Sequence, residues 1–148
     1  MLAETVAAII KRGDRYLIIE EHTADGIKLN QPAGHIECGE TPEQAVVRET
    51  MEEACVLIRP IRIISCQLLK GHSADPNLLP LFRRSNFEAE ILEERAFIGH
   101  SPEIIRRLWL TKNELHERKE DLRSPAVLSA IEDYEALQRI SPIETVNH

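Results

Sequence analysis

Three carboxylates, Glu49, Glu52 and Glu53, stand within the run Arg48-Glu49-Thr50-Met51-Glu52-Glu53 at spacings of three and four residues. On a helix such spacings bring side chains to one face. Like charges so placed repel by a few tenths of a kcal/mol per pair, so folding alone gives no reason to gather them. A hard divalent cation does: Mg²⁺ takes oxygen ligands, one or two of them carboxylates, and keeps its other positions for waters and substrate phosphates. Taken by itself the triplet reads equally well as a solvated face, with Arg48 pairing Glu52 at i,i+4.

The elements around the triplet tilt that balance. Gly34-His35-Ile36-Glu37-Cys38-Gly39-Glu40 precedes it, and its two glycines permit close backbone approach and unusual dihedrals. Thr41 is a helix N-cap, Pro42 suits the first helical position, and Gln44 completes a capping box. Glu43 lies where the helix dipole favours an acid. The helix should run to about Cys55, with Val47, Met51 and Ala54 on its apolar face and Val46 and Thr50 flanking them.

The run 34–56 as a whole resembles the Nudix box, a glycine, a glutamate and an Arg-Glu…Glu-Glu cluster at fixed separations. Gly34, Glu40, Arg48, Glu49, Glu52, Glu53 and Val56 fall in register with it. Two positions depart: Thr50 stands for an aliphatic residue, and Cys55 for the glycine that ends the helix, so the turn after the helix is expected to differ. Neither departure removes a carboxylate. Beyond the box, the opening strands, Asn30-Gln31-Pro32-Ala33-Gly34-His35, Trp109-Leu110 before a helix, and Leu122-Arg123-Ser124-Pro125 look like the NudJ-type phosphatase branch. Residues 40–49 also look like the MutT branch.

Around that centre, residues 5–12 read as a strand buried on both faces. Gly13-Asp14 turns into a second strand at 15–20, so a hairpin is expected. Residues 22–28 are polar, with Asp25-Gly26 as a turn signal. A strand at 57–69 is interrupted by Pro60, and a loop fills 71–80. A strand at 81–92 has a polar middle at Arg83-Arg84-Ser85-Asn86. A further strand at 104–110 carries Trp109, read as core rather than as a base-stacking platform. A short helix covers 112–119. The last helix starts at Ser124-Pro125 and turns Val127, Ile131 and Tyr134 inward. The tail after Pro142 reads as loose. The fold class expected is α/β, a Nudix-type α/β/α sandwich with a mixed sheet and a metal-binding loop-helix, as one domain over 1–148.

Composition bounds the partners. The 148 residues suit one domain with one sizeable core. A net charge of −7 argues against duplex nucleic acid, but not against a small phosphorylated substrate met through a metal. Cys38, Cys55 and Cys66 match no zinc or disulfide pattern and read as free thiols in a reducing compartment. With no signal peptide and no membrane-length apolar run, a cytoplasmic monomer or homodimer is expected.

The resemblance implies hydrolysis of phosphoanhydride bonds in nucleoside di- and triphosphates or related organic diphosphates, such as a thiamine-pathway pyrimidine diphosphate. Its alternatives are an oxidised-nucleotide sanitising pyrophosphohydrolase and a non-catalytic nucleotide-binding module. It implies Mg²⁺, with Mn²⁺ able to substitute, held by Glu49, Glu52, Glu53 and the Ala33 backbone carbonyl. Glu53, Glu49 and Glu103 are the candidates for general base, and Arg48 and Glu40 are organisers that pin the glycine loop. Arg83, Arg84, Lys70 and His35 are candidates for contacting phosphates, weighed against exposed strand and loop positions.

Overall fold

The first apolar run serves two sheets in the computed structural model of the chain, which describes residues 2–71 and 81–140. It divides at Ile10 into β1 (Ala3–Ile9) and β2 (Lys11–Arg12). Only β2 forms the expected hairpin with β3 (Arg15–Thr23), through two residue pairs, and β1 turns to other partners. It lies antiparallel to β5 (Ala33–His35) and parallel to β7 (Leu81–Glu94). With β6 (Val56–Lys70) outermost, the order β5-β1-β7-β6 makes a mixed sheet. The second sheet is antiparallel: β2 and β4 (Gly26–Asn30) pair with β3, and so does β8 (Ile104–Thr111). The polar segment 22–28 is therefore a hairpin, and the turn that Asp25-Gly26 signals is made with Gly26 at φ 101°.

Pro60 does not end β6. The strand is the last of its sheet, where a missing N–H is tolerated, and the register shifts between Pro60 and Arg62. The polar middle of β7 does not interrupt that strand either, because Arg84 and Asn86 are buried and hydrogen-bonded. The loop expected at 71–80 falls, beyond Gly71, outside the described residues, and so does the tail after Pro142.

Alternation along the strands builds two cores. Val6, Ala8, Leu17, Ile19 and Phe87 meet α1 (Pro42–Ala54) on one side. Ile9, Tyr16, Ile18 and Leu29 meet α2 (Lys112–Glu117) and α3 (Ala126–Ile140) on the other. The arrangement is the expected α/β/α sandwich. Among the described residues no helix is long and apolar enough to cross a membrane.

Helix α1 begins as its sequence dictates. The Thr41 hydroxyl accepts from the Gln44 N–H at 3.1 Å, and the Gln44 side chain accepts from the Thr41 N–H at 2.9 Å. Its inner face is rotated from the expected one: Val46, Thr50, Glu53 and Ala54 are buried, while Val47 and Met51 are half-buried. Thr50 is accommodated by donating its hydroxyl to the Val46 carbonyl at 2.7 Å. The end of the helix differs less than its sequence suggests. Cys55 stands at φ 58°, ψ 39°, the left-handed conformation usual for glycine. A side chain there costs about 1–2 kcal/mol, offset in part by burying the thiol.

Candidate active site

The inward rotation of α1 carries Glu53 beneath the protein surface. Its Oε1 accepts the Ala33 N–H at 2.8 Å, which ties the helix to β5. Only 8% of the residue is exposed. Burial, then the charges of Glu49, Glu21 and Glu103, push its carboxyl up to about 9 despite the Ala33 amide. A carboxylate of this kind asks for a cation.

Glu49 lies one turn earlier on the same helix, against the backbone of Gly34. A Cβ at position 34 would sit 2.2 Å from the Glu49 Cδ and 2.4–2.5 Å from its oxygens. Glycine is required for that approach, since any side chain would displace the carboxylate. Burial raises the Glu49 carboxyl, and the hydrogen bond and charge of Arg48 oppose the rise.

Arg48 gathers the rest. Its guanidinium is bidentate to Glu40, with Nε to Oε2 at 2.7 Å and Nη2 to Oε1 at 3.0 Å. Nη1 donates to Glu49 at 2.7 Å and to Glu52 at 3.3 Å, and Nη2 to the His35 carbonyl at 3.0 Å. Glu37, which no sequence argument singled out, stands 3.3 Å from Nε. Arg48 and the Glu37 N–H hold the Glu40 carboxyl down to about 2. The glycine loop is thus pinned to α1 by one planar cation, whose fork matches carboxylates in pairs.

The other sequence candidates fall in different places. Glu52 is exposed at the rim. Glu103 is exposed on the loop before β8, its carbonyl accepting the His22 N–H at 2.8 Å, and its charge reaches Glu53. The His35 ring faces outward, and Lys70 lies at the exposed end of β6. Arg83 pairs with Glu4 at 3.1 Å on the surface. Arg84 projects from the opposite face and is buried, donating to Asn86 at 3.0 Å, to Asn30 at 3.1 Å, and to Gln31. Burial lowers its guanidinium to about 10, with Glu21 and Glu53 opposing the shift. Trp109 packs on the core with the Arg12 guanidinium 3.9 Å above its ring centre.

Two buried acids of β3 escaped the sequence reading, and one of them acts on Glu53. Glu21 is buried on β3 and accepts Arg123 Nη1 at 3.0 Å. The adjacent Glu20 is also buried, on the opposite face of β3, where it accepts Arg106 Nε at 2.8 Å. Two acids closing an apolar strand were the available signal.

The donor set suits a hard divalent cation: carboxylates only, one deeply buried, on a rigid helix beside a glycine strand. Among the described residues no three His, Cys, Asp or Glu side chains are already drawn together as a ready-made cage. Glu49 and Glu52 are turned to Arg48, so cation binding would draw them from that arginine toward Glu53.

Comparison with known proteins gives the family and the fold. A NUDIX domain family model matches residues 1–130. The chain is 32% identical over 143 residues to the phosphatase NudJ of Escherichia coli strain K12, covering 96% of this chain and 88% of that one. A NUDIX hydrolase structure from Nitrosomonas europaea aligns with a TM-score of 0.84 at 32% identity, over 92% of this chain and 90% of the other. An ADP-ribose pyrophosphatase from Streptococcus suis shares the fold at a TM-score of 0.67 and 19% identity, over 93% of each chain.

Proposed function

The chain belongs to the NUDIX domain family of hydrolases, and we propose that it cleaves phosphoanhydride bonds in nucleoside di- and triphosphates or related organic diphosphates, using Mg²⁺. The observation that carries this reading is Glu53, a carboxylate buried among other carboxylates with one backbone N–H as its hydrogen-bond partner. Folding is not served by that arrangement, since a buried unpaired charge is costly. Glu49 and Glu53 are the principal ligands, with Glu52 a third and the Ala33 carbonyl a fourth. Such a cation neutralises phosphate charge and acidifies an attacking water.

The chain's own residues do the remainder. Arg48 holds the glycine loop against α1 through Glu40 and the His35 carbonyl, which limits the substrate to one approach. With Glu49 and Glu53 committed to the cation, Glu103 is the remaining one of the three base candidates to accept the proton from the attacking water.

Release of phosphate and pyrophosphate over a panel of nucleotides and organic diphosphates, with Mg²⁺ and with chelator, tests this. Chelator-sensitive release from a subset is expected. Release that persists undiminished in chelator, or none from any member, sinks the reading.

A further inference from the structure

A second concavity opens on the far side of Arg123. It is a groove of about 500 Å³ between α2, the turn that follows it and the start of α3. Volumes of this size accommodate small ligands. Its polar lining is His116, Lys119, Arg123, Ser124, Ser129 and Glu132, over an apolar floor that includes Leu128. In a chain of net charge −7, two permanent cations and an imidazole face one carboxylate. Neither Lys119 nor His116 has a side-chain ion-pair or hydrogen-bond partner among the described residues.

Arg123 joins this groove to the catalytic centre. Its backbone N–H donates to the Leu29 carbonyl at 2.7 Å, which straps the segment to β4 just before Asn30-Gln31. Nη1 donates to buried Glu21 at 3.0 Å, and Glu21 acts on Glu53. A guanidinium carries five N–H donors in a rigid fork. The fork is 43% exposed with one hydrogen bond to Glu21, so further donors can meet an oxyanion.

We propose that this groove receives an anionic end of the substrate beyond the scissile phosphoanhydride, held by Arg123 and Lys119 with His116 and Ser129 beside them. The favoured substrates are then diphosphate compounds carrying a further phosphate, in preference to those ending in a neutral group. The assignment rests on the hydrolase reading above and adds a substrate class to it.

Steady-state kinetics on the whole chain test it, comparing a nucleoside triphosphate with a nucleoside diphosphate sugar of neutral terminus. Lys119→Gln, which leaves the Glu21 pair intact, should raise KM for the triphosphate severalfold. It should leave kcat and the KM of the diphosphate sugar unchanged. Arg123→Gln should raise the triphosphate KM about tenfold. Equal KM changes for both substrates, or none in either variant, overturn the assignment. A second measurement does not depend on turnover: nitrogen-15 amide shifts of the wild-type chain titrated with inorganic tripolyphosphate in chelator. Shifts at residues 116–129 that weaken in Lys119→Gln support the groove; their absence overturns it. Should the wild type hydrolyse no member of the panel, the hydrolase reading fails while the titration still decides the groove.

Discussion

Arg48 and Arg84 are both focal cations, and their surroundings are opposite. Arg48 is half-exposed and meets carboxylates: Glu37, Glu40, Glu49 and Glu52. Arg84 is 4% exposed and meets neutral amides from Asn30, Gln31 and Asn86. Those amides continue inward: Asn86 donates to Ser65 at 3.0 Å and to Gln67 at 2.9 Å, and Gln31 to the Val127 carbonyl at 2.8 Å. The first arginine organises a site that a cation and a substrate complete. The second fastens β4, β6, β7 and α3 together from within. Charge that faces charge near solvent is available for function; charge dissolved in amides is committed to the fold. Glu53 stands electrostatically between them, acting on Arg84 while sharing a helix with Arg48.

The largest expected effect separates function from folding at that intermediate position. Glu53→Gln keeps an oxygen for the Ala33 N–H and removes the charge. Turnover should fall on the order of 10²–10⁴-fold, while thermal unfolding in chelator shifts upward or not at all. Near-normal turnover would remove Glu53 from the metal set. A matching fall in stability would place it with Arg84 as a structural group.

The same residue sets a pH dependence. Its folded-state carboxyl is raised to about 9 from an ordinary value near 4.5. Between those values the metal-free folded chain holds a proton that the unfolded chain has released, so stability declines as pH rises. Unfolding midpoints in chelator should therefore drop from pH 5 to pH 9, and Glu53→Gln should flatten the slope. Glu40 has the opposite sign: its carboxyl is held at about 2, so its contribution is present above about 4.5 and is lost as pH falls toward 2. A midpoint that climbs from pH 5 to pH 9 in chelator would contradict the charge assignment at Glu53.

The two arginines can then be exchanged for neutral residues. Arg84→Leu leaves three buried acceptors bare, and urea unfolding should lose roughly 3 kcal/mol, about one for each. Arg48→Gln should cost about 1 kcal/mol or less, because its acids can turn to water, yet reduce kcat/KM about tenfold or more through loss of loop position. Similar stability losses in both variants would erase the distinction.

That distinction also governs what the sequence revealed. Glu40, Arg48, Glu49, Glu52 and Glu53 act through spacing along one loop and one helix, and spacing is visible in a chain. Thr41, Pro42 and Gln44 announce the helix start for the same reason: their bonds are local. The partners of Arg84 come from β4, its following turn and β7, and they meet through parallel pairing of β1 with β7, a contact 79 residues apart between Thr5 and Arg84. No local pattern records such a meeting, so Arg83-Arg84-Ser85-Asn86 read as an interruption of a strand. Glu21 escaped because it continues the inward face of Leu17 and Ile19 with a charged residue, just past the strand end that the apolar run marks. Division of the first apolar run between two sheets was hidden because Val6 to Ile10 are apolar and buried without a break, and no turn residue marks the change of sheet.

The smallest expected effect tests how finely the Arg48 side is set. Gly34 does not have the left-handed backbone that strains other residues, and alanine in a strand loses less chain entropy on folding than glycine does, by roughly 0.5–1 kcal/mol. The clash an added methyl would make is with the Glu49 carboxylate, the far end of a flexible side chain that can swing away. Gly34→Ala should therefore fold as well as the parent or slightly better, while Glu49 leaves its place and metal affinity weakens. Titration of Mn²⁺ by electron paramagnetic resonance, beside thermal unfolding, reads both quantities in one sample. Weaker Mn²⁺ binding with an unchanged midpoint fits a carboxylate positioned for a cation. Unchanged binding would mean that Glu49 lies against Gly34 for packing alone, and the Arg48 side would then resemble the Arg84 side more than its chemistry suggests.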